Sequence, residues 1–284
     1  MPPAETSIDW ASVEVAVSRP SDRLPGIAMA GFSQVTSFGL VDIAMVPYPA
    51  VTLFLDPTEG DALVYDGGRQ RTYGSVAVGL LPGELRASGR RLECLQIRLD
   101  PLAAASVLGA SADLAGAVVS LRDLWGRDAE RAEERLRAAP SWPERFALAT
   151  ELLGRRQADR PLVDPEVAHS WRRTLLSGGQ TRIEELASDV GWSRKRLWSR
   201  FRSQLGISPK RAARLVRFDH AAHLLAGGGA AVDAAFQSGY VDQSHLNREV
   251  QAFTGLTPAA LAVAPWLAID FIAWPRRGDS RRRR

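Results

Sequence analysis

The chain has 284 residues, 45 % of them hydrophobic, which is enough for two ordinary domains with real cores. Residues 1–155 hold 15 basic against 20 acidic side chains and residues 156–284 hold 21 against 12, so a polyanion is repelled by the first part and drawn to the second. One cysteine, Cys94, excludes an intramolecular disulfide and a zinc site of several thiolates. The lack of a long apolar run or a basic-then-apolar leader points to a cytoplasmic protein with no membrane association.

From Ser12 to about Leu99 the sequence runs in short β-branched segments, VEVAV, GIAMAGF, VTLFL, ALVYD, GSVAVGLL and LQIRL, separated by Gly, Pro and Asp. These read as strands of an antiparallel barrel or sandwich. After Pro101 the composition turns to Ala, Leu, Glu and Arg, which predicts helices over 101–109, about 121–138 and about 142–156. Two helices beside a small β domain offer a dimerisation surface. The polar segment 157–165, QADRPLVDP, marks the domain junction, and a further helix runs from Pro165 to Leu176. Beyond it, Thr181 with Glu184 has capping-box spacing, while Ser208-Pro209 and Thr257-Pro258 each set a cap before a first-turn proline. Residues 266–274, WLAIDFIAW, read as a short strand or helix, and RRGDSRRRR as a solvated end or a nonspecific phosphate contact. The expected class is α+β. A β-rich barrel or sandwich with flanking helices (1–160) is followed by an all-α part with two helix-turn-helix units joined by a linker helix (164–262), then an apolar segment and basic tail (263–284).

The most informative feature is an internal repeat. Ala187, Gly191 and Trp192 recur 48 residues later as Ala235, Gly239 and Tyr240. Leu197, Phe201, Gly206, Ile207, Ser208 and Pro209 recur 49 later as Leu246, Val250, Gly255, Leu256, Thr257 and Pro258. Each unit reads helix, glycine turn, helix, stop. In the first, Ile183, Leu186, Ala187 and Val190 form an apolar stripe, Gly191 supplies the positive φ of a sharp turn, and Ser193 caps the next helix. Along that helix Leu197, Phe201 and Leu205 face inward, leaving Arg194, Lys195, Trp198, Ser199 and Arg202 outward. In the second, Asp242 is the cap, Leu246 and Val250 point in, and Gln243, Ser244, His245 and Arg248 point out. Such a helix fits a B-DNA major groove. Between the units, residues 208–226 read as one helix of roughly 28 Å at about 1.5 Å per residue. A strut of that length holds two reading helices on the order of 34 Å apart, the spacing of adjacent major grooves.

These motifs resemble the AraC/XylS DNA-binding domain over residues 164–262. The match lies in Leu186-Ala187, Ser193-x3-Leu197-x3-Phe201, Leu205-Gly206-x-Ser208-Pro209 and Gly239-Tyr240-x-Asp242-Gln243-Ser244-His245-Leu246. The resemblance implies a transcription activator without cofactor, with double-stranded DNA and RNA polymerase as partners. It implies base reading by Lys195, Trp198 and Ser199 in the first unit and by Gln243, Ser244, His245 and Arg248 in the second. IRLDP (97–101), VSLRDLWG (119–126) and RFALATELL (145–153) also resemble N-terminal regions of an AraC subgroup, which implies a sensing or dimerisation domain. Gly227-Gly228-Gly229 and Ala234-Ala235 depart from the pattern, so a looser second unit is expected.

Arg194 and Arg202 are expected on phosphates, since backbone contacts make up at least half of such interfaces. Arg196 and Arg200 are read as solvated. Trp198 either touches thymine methyls or folds back over Phe201. His220 and His223 read as packing residues of the strut. Residues 1–168 contain no histidine, which argues against a metalloenzyme in the N-terminal half, and Cys94 in LECLQI is not placed as a nucleophile or alkyl acceptor. No Gly-rich phosphate loop precedes a helix. The expectation is therefore no enzyme and no metal site; the alternatives are an architectural DNA-coating protein, or a ligand-binding or enzymatic N-terminal domain fused to a DNA-binding module. An apolar-lined barrel offers room for a small-molecule effector, although a filled core has the same signature.

Overall fold

The computed structural model describes residues 12–19, 24–34, 41–58, 62–67, 71–81, 83, 85–109, 111–157 and 163–264. The tail read above (265–284) and most of the junction (158–162) lie outside them. Among the described residues, ten strands form two antiparallel sheets. The larger joins β1 (Val13–Val17), β2 (Ile27–Gln34), β9 (Glu93–Leu99), β4 (Val51–Leu55), β7 (Val76–Val78) and β10 (Val118–Ser120) in that spatial order. The smaller joins β3 (Val41–Met45), β8 (Leu85–Gly89), β5 (Val64–Asp66) and β6 (Arg71–Tyr73).

Side-chain alternation splits the large sheet into two buried faces. Phe32, Phe54, Val76, Val78 and Cys94 meet Val41, Tyr65, Leu85 and Ala87 of the small sheet. The intervening positions, Met29, Leu53, Leu55, Leu95, Ile97 and Leu99, turn to the helices. Both faces of VTLFL are buried, so the strand has no exposed position, and even Thr52 lies inside. The helical layer comprises α1 (Pro101–Leu108), α2 (Leu121–Trp125), α3 (Arg127–Ala138) and α4 (Trp142–Gln157). Gly31 lets α4 come close, since a Cβ there would sit 2.2 Å from the Trp142 ring.

Several expectations need correction. The helix read over 121–138 is two, broken where Gly126 takes φ +56°. Four strands, β3, β6, β8 and β10, were not among those read. Two of them, β6 and β10, are only three residues long, and β8 carries its charge outward to pair Arg86 with Asp42 at 2.7 Å. Thr181 does not cap the next helix: α6 (Ile183–Asp189) follows Arg182, with no side-chain cap.

The C-terminal part continues with α5 (Pro165–Leu176), α6, α7 (Arg194–Leu205), α8 (Pro209–Ala226), α9 (Ala231–Gln237), α10 (Gln243–Thr254) and α11 (Pro258–Ala262). The junction near residue 160 does not divide the core. A single apolar cluster runs from the large sheet through Ala104, Val107 and Leu114 to Trp171, Leu186, Leu197, Phe201 and Leu205. The first helix-turn-helix unit is thus built onto the N-terminal part, with α7 packed against α1 and the 3-10 turn Ser111–Leu114. The Trp171 indole also donates to Asp100 Oδ2 at 3.3 Å. The second unit has its own core, in which Phe218, Ala222 and Leu225 of α8 meet Ala234, Ala235, Leu246, Val250 and Leu261. Helix α8 serves both, giving Leu215 and Val216 to the first cluster and Phe218 and Leu225 to the second.

Candidate nucleic-acid interface

Both candidate reading helices start and stop where their sequence requires. Gly191 and Gly239 take φ +66° and +74°, which a Cβ-bearing residue adopts only at a cost, and the chain turns there out of α6 and α9. Ser193 then accepts from Arg196 N–H at 3.2 Å, and Asp242 from His245 N–H at 2.7 Å, so each helix begins on a satisfied cap. Gly206 and Gly255 end them in the left-handed region. Leu197, Phe201 and Leu205 of α7, and Leu246 and Val250 of α10, are buried, so the rotation of each helix is fixed.

Of the first unit's expected residues, Arg194, Lys195, Trp198, Ser199 and Arg202 are all exposed. Trp198 stands 47 % exposed and does not fold back; instead the Arg202 guanidinium lies 5.3 Å from its ring centroid. Arg194 is engaged with Glu184 at 2.8 Å. A hydrogen bond from its own backbone N–H, then one from Arg194, holds the Glu184 carboxyl below its usual range. Arg196 and Arg200, read as solvated, have partners. Arg196 stacks over Trp192 at 4.5 Å, and Arg200 meets Asp164 at 2.6 Å. Desolvation raises the Asp164 carboxyl, but the hydrogen bonds from Arg200 and Gln204 and the charges of Arg200 and Arg196 together outweigh it, and the net shift is downward. These two arginines fasten α7 in place and leave Lys195, Trp198, Ser199 and Arg202 for a ligand.

In the second unit Gln243, Ser244 and Arg248 are exposed, with Arg248 Nε donating to Ser244 O at 3.3 Å. His245 is only half free, because its ring stands edge-on to Tyr240 at 5.1 Å. The sequence reading missed what holds α10 to the strut: Arg214 donates twice to Glu249, at 2.9 Å each, and the Glu249 side chain is 8 % exposed. Glu249 raises the Arg214 pKa, chiefly through that hydrogen bond. A carboxylate on the inward face of a reading helix, 35 residues from an arginine on the linker helix, was the available signal. His223 Nδ1 lies 2.7 Å from Asp219 O, as suits a packing role. Among the described residues no group of three or more His, Cys, Asp and Glu is placed to hold a metal, and no helix is long and apolar enough to cross a membrane.

Two capped helices of one plan, set on a shared strut with basic and polar faces outward, define a tandem helix-turn-helix DNA-binding module. Residues 172–262 match the helix-turn-helix domain family. A relative, the uncharacterised HTH-type transcriptional regulator YbfI of Bacillus subtilis (strain 168), is 39 % identical over 64 residues, 22 % of this chain and 23 % of that protein. The chain thus spans about a quarter of the length of this curated relative. Among solved structures, the C-terminal domain of the response regulator AraT from Geobacillus stearothermophilus aligns over 35 % of this chain and 85 % of its own, at 21 % identity and TM-score 0.34. ToxT from Vibrio cholerae O395 aligns over 94 % of this chain and all of its own, at 10 % identity and TM-score 0.46. The C-terminal third thus carries a helix-turn-helix domain.

Proposed function

We propose that this protein is a sequence-specific DNA-binding transcription regulator, an activator that acts in the cytoplasm. Its two helix-turn-helix units read adjacent major grooves of one operator. The reading rests above all on one observation: α7 and α10 are each locked by an apolar stripe and an N-cap, and both keep their polar faces exposed.

In this account Lys195, Trp198 and Ser199 read bases in one groove, and Gln243, Ser244, His245 and Arg248 read the next. Arg194 and Arg202 hold phosphates. Residues 164–262 carry DNA binding, residues 1–160 sensing or self-association, and 263–284 an auxiliary tail. RNA polymerase and a second copy of the chain are the protein partners, and a small molecule is the effector. The architectural alternative is less well supported, since two different reading faces on a rigid strut are unnecessary for bulk coating. Selection of bound sequences from random DNA tests the reading. An enriched site of about 15–20 base pairs with two conserved blocks is expected, while no enrichment contradicts it.

A further inference from the structure

Among the described residues, four strands end the two sheets: β1 and β10 the larger, β3 and β6 the smaller. Strands β6 and β10 are three residues long. Strand β3 runs straight into Val46 and Tyr48, which pack into the core of the second helix-turn-helix unit. Strand β1, VEVAV, is five residues long, and among the described residues no strand pairs with its far edge. It has no lysine, no proline and no bulge of the kind that blunts an edge strand.

The direction of its backbone groups follows from the ladder. Ser18 N–H donates to Met29 O at 3.3 Å, one position past the pair Val17 with Ala30. In an antiparallel ladder hydrogen-bonded and non-hydrogen-bonded pairs alternate. Glu14 and Ala16 are therefore bonded to β2, and the N–H and C=O groups of Val13, Val15 and Val17 point away from it, to the free edge. The far side of β2 agrees, since Gln34 N–H, opposite Val13, donates to Leu92 O just before β9. Side chains alternate in the same way. Val13 and Val15 pack against the sandwich interior and Ala16 against the helical side, while Glu14 is exposed and accepts from Ser33 at 3.2 Å.

That pattern is complementary to itself. Two copies of β1 set antiparallel about a twofold axis bring the two Val15 residues opposite each other and each Val13 opposite a Val17. In every one of these pairs the free backbone groups face and can exchange two hydrogen bonds. Glu14 then falls opposite Ala16, so no like charges meet, and the valines extend one apolar face across the join. We propose that β1 is a self-association edge on which a second copy of this chain seats its own β1, so that the two large sheets become one. The proposal deepens the reading of residues 1–160 as a self-association part and rests on it. The first helix-turn-helix unit shares the apolar cluster of the large sheet, so the twofold axis carries through to the DNA-binding parts. Two operator sites in inverted orientation are the DNA that such a dimer fits.

The test is sedimentation velocity of the full chain without DNA, from about 1 to about 200 µM. A strand pair this short lies at the low end of interface sizes, so a dimer Kd of about 1–100 µM is expected. Val15→Pro removes an outward donor and no bond to β2, and should weaken the dimer at least about tenfold with the thermal midpoint near that of the parent. Ala16→Glu and Ala16→Lys add similar bulk and serve even if the proline perturbs folding. The glutamate sets like charges opposite each other and the lysine sets a cation opposite Glu14, so the glutamate variant should dimerise at least about fivefold more weakly than the lysine variant. A dimer whose Kd is unchanged in Val15→Pro, or that Ala16→Glu and Ala16→Lys affect alike, overturns β1 as the edge and leaves self-association through another face standing. A chain that stays monomeric over the whole range overturns both.

Discussion

At the residue scale, Lys195 and Arg248 are exposed cations on the two reading faces, of the types that pair with guanine edges. Lys195→Ala and Arg248→Ala should each weaken operator binding by about 1–3 kcal/mol and relax preference at different base pairs. Anisotropy titrations on single-base operator variants check this, and equal losses on operator and random DNA would contradict it. Arg202 differs because its guanidinium already rests near the Trp198 ring. Arg202→Ala should lower the salt slope of binding by about one unit and leave base preference nearly intact. Arg194 must leave Glu184 to meet a phosphate. Glu184→Gln should therefore raise affinity for all sequences alike, by less than about tenfold, in a comparison of specific and random duplexes.

At the element scale, much of the C-terminal part was legible because the starts of α7, α8, α10 and α11 carry their own signals. Ser193, Ser208, Asp242 and Thr257 all accept the cap hydrogen bonds that their positions imply, and Gly206 and Gly255 stop their helices. Boundaries without such chemistry were misread. Arg182 stands where Thr181 was expected to cap, and the break at Gly126 is hidden inside a run that otherwise favours helix. Three-residue strands such as β6 are fixed by their neighbours, here β5, rather than by their own sequence. For Arg214–Glu249 the sequence marks a carboxylate on the inward face of α10, but long-range pairing leaves no local pattern that names its partner. Glu249→Ala should lower stability by roughly 1–2 kcal/mol, a figure reduced for the partial exposure of Arg214, and should weaken readout in the second groove more than in the first. Thermal unfolding together with base-variant titration checks both.

At the scale of the whole molecule, one apolar cluster crosses the segment read as the domain junction. Apolar periodicity shows that α7 has a buried face without saying what covers it. The cover is α1 and the turn at 111–114, so the N-terminal part directly supports the first reading helix. Asp100, which accepts from Leu102 N–H and from Trp171, sits in this seam, and its burial raises its carboxyl pKa. A carboxyl raised on folding contributes most below its unfolded pKa near 4, and that contribution is lost as pH rises through the folded value. Asp100→Asn should therefore flatten this loss as pH rises above about 4, measured as stability against pH relative to the parent chain. One protomer is expected to read two grooves through α7 and α10. Base-interference footprinting of a single bound protomer tests it most directly. Two clusters of critical bases on one face of the duplex, about 10 base pairs apart, are predicted, the nearer lost in Lys195→Ala and the farther in Arg248→Ala. A single cluster, or protection spread evenly along the DNA, would contradict the account.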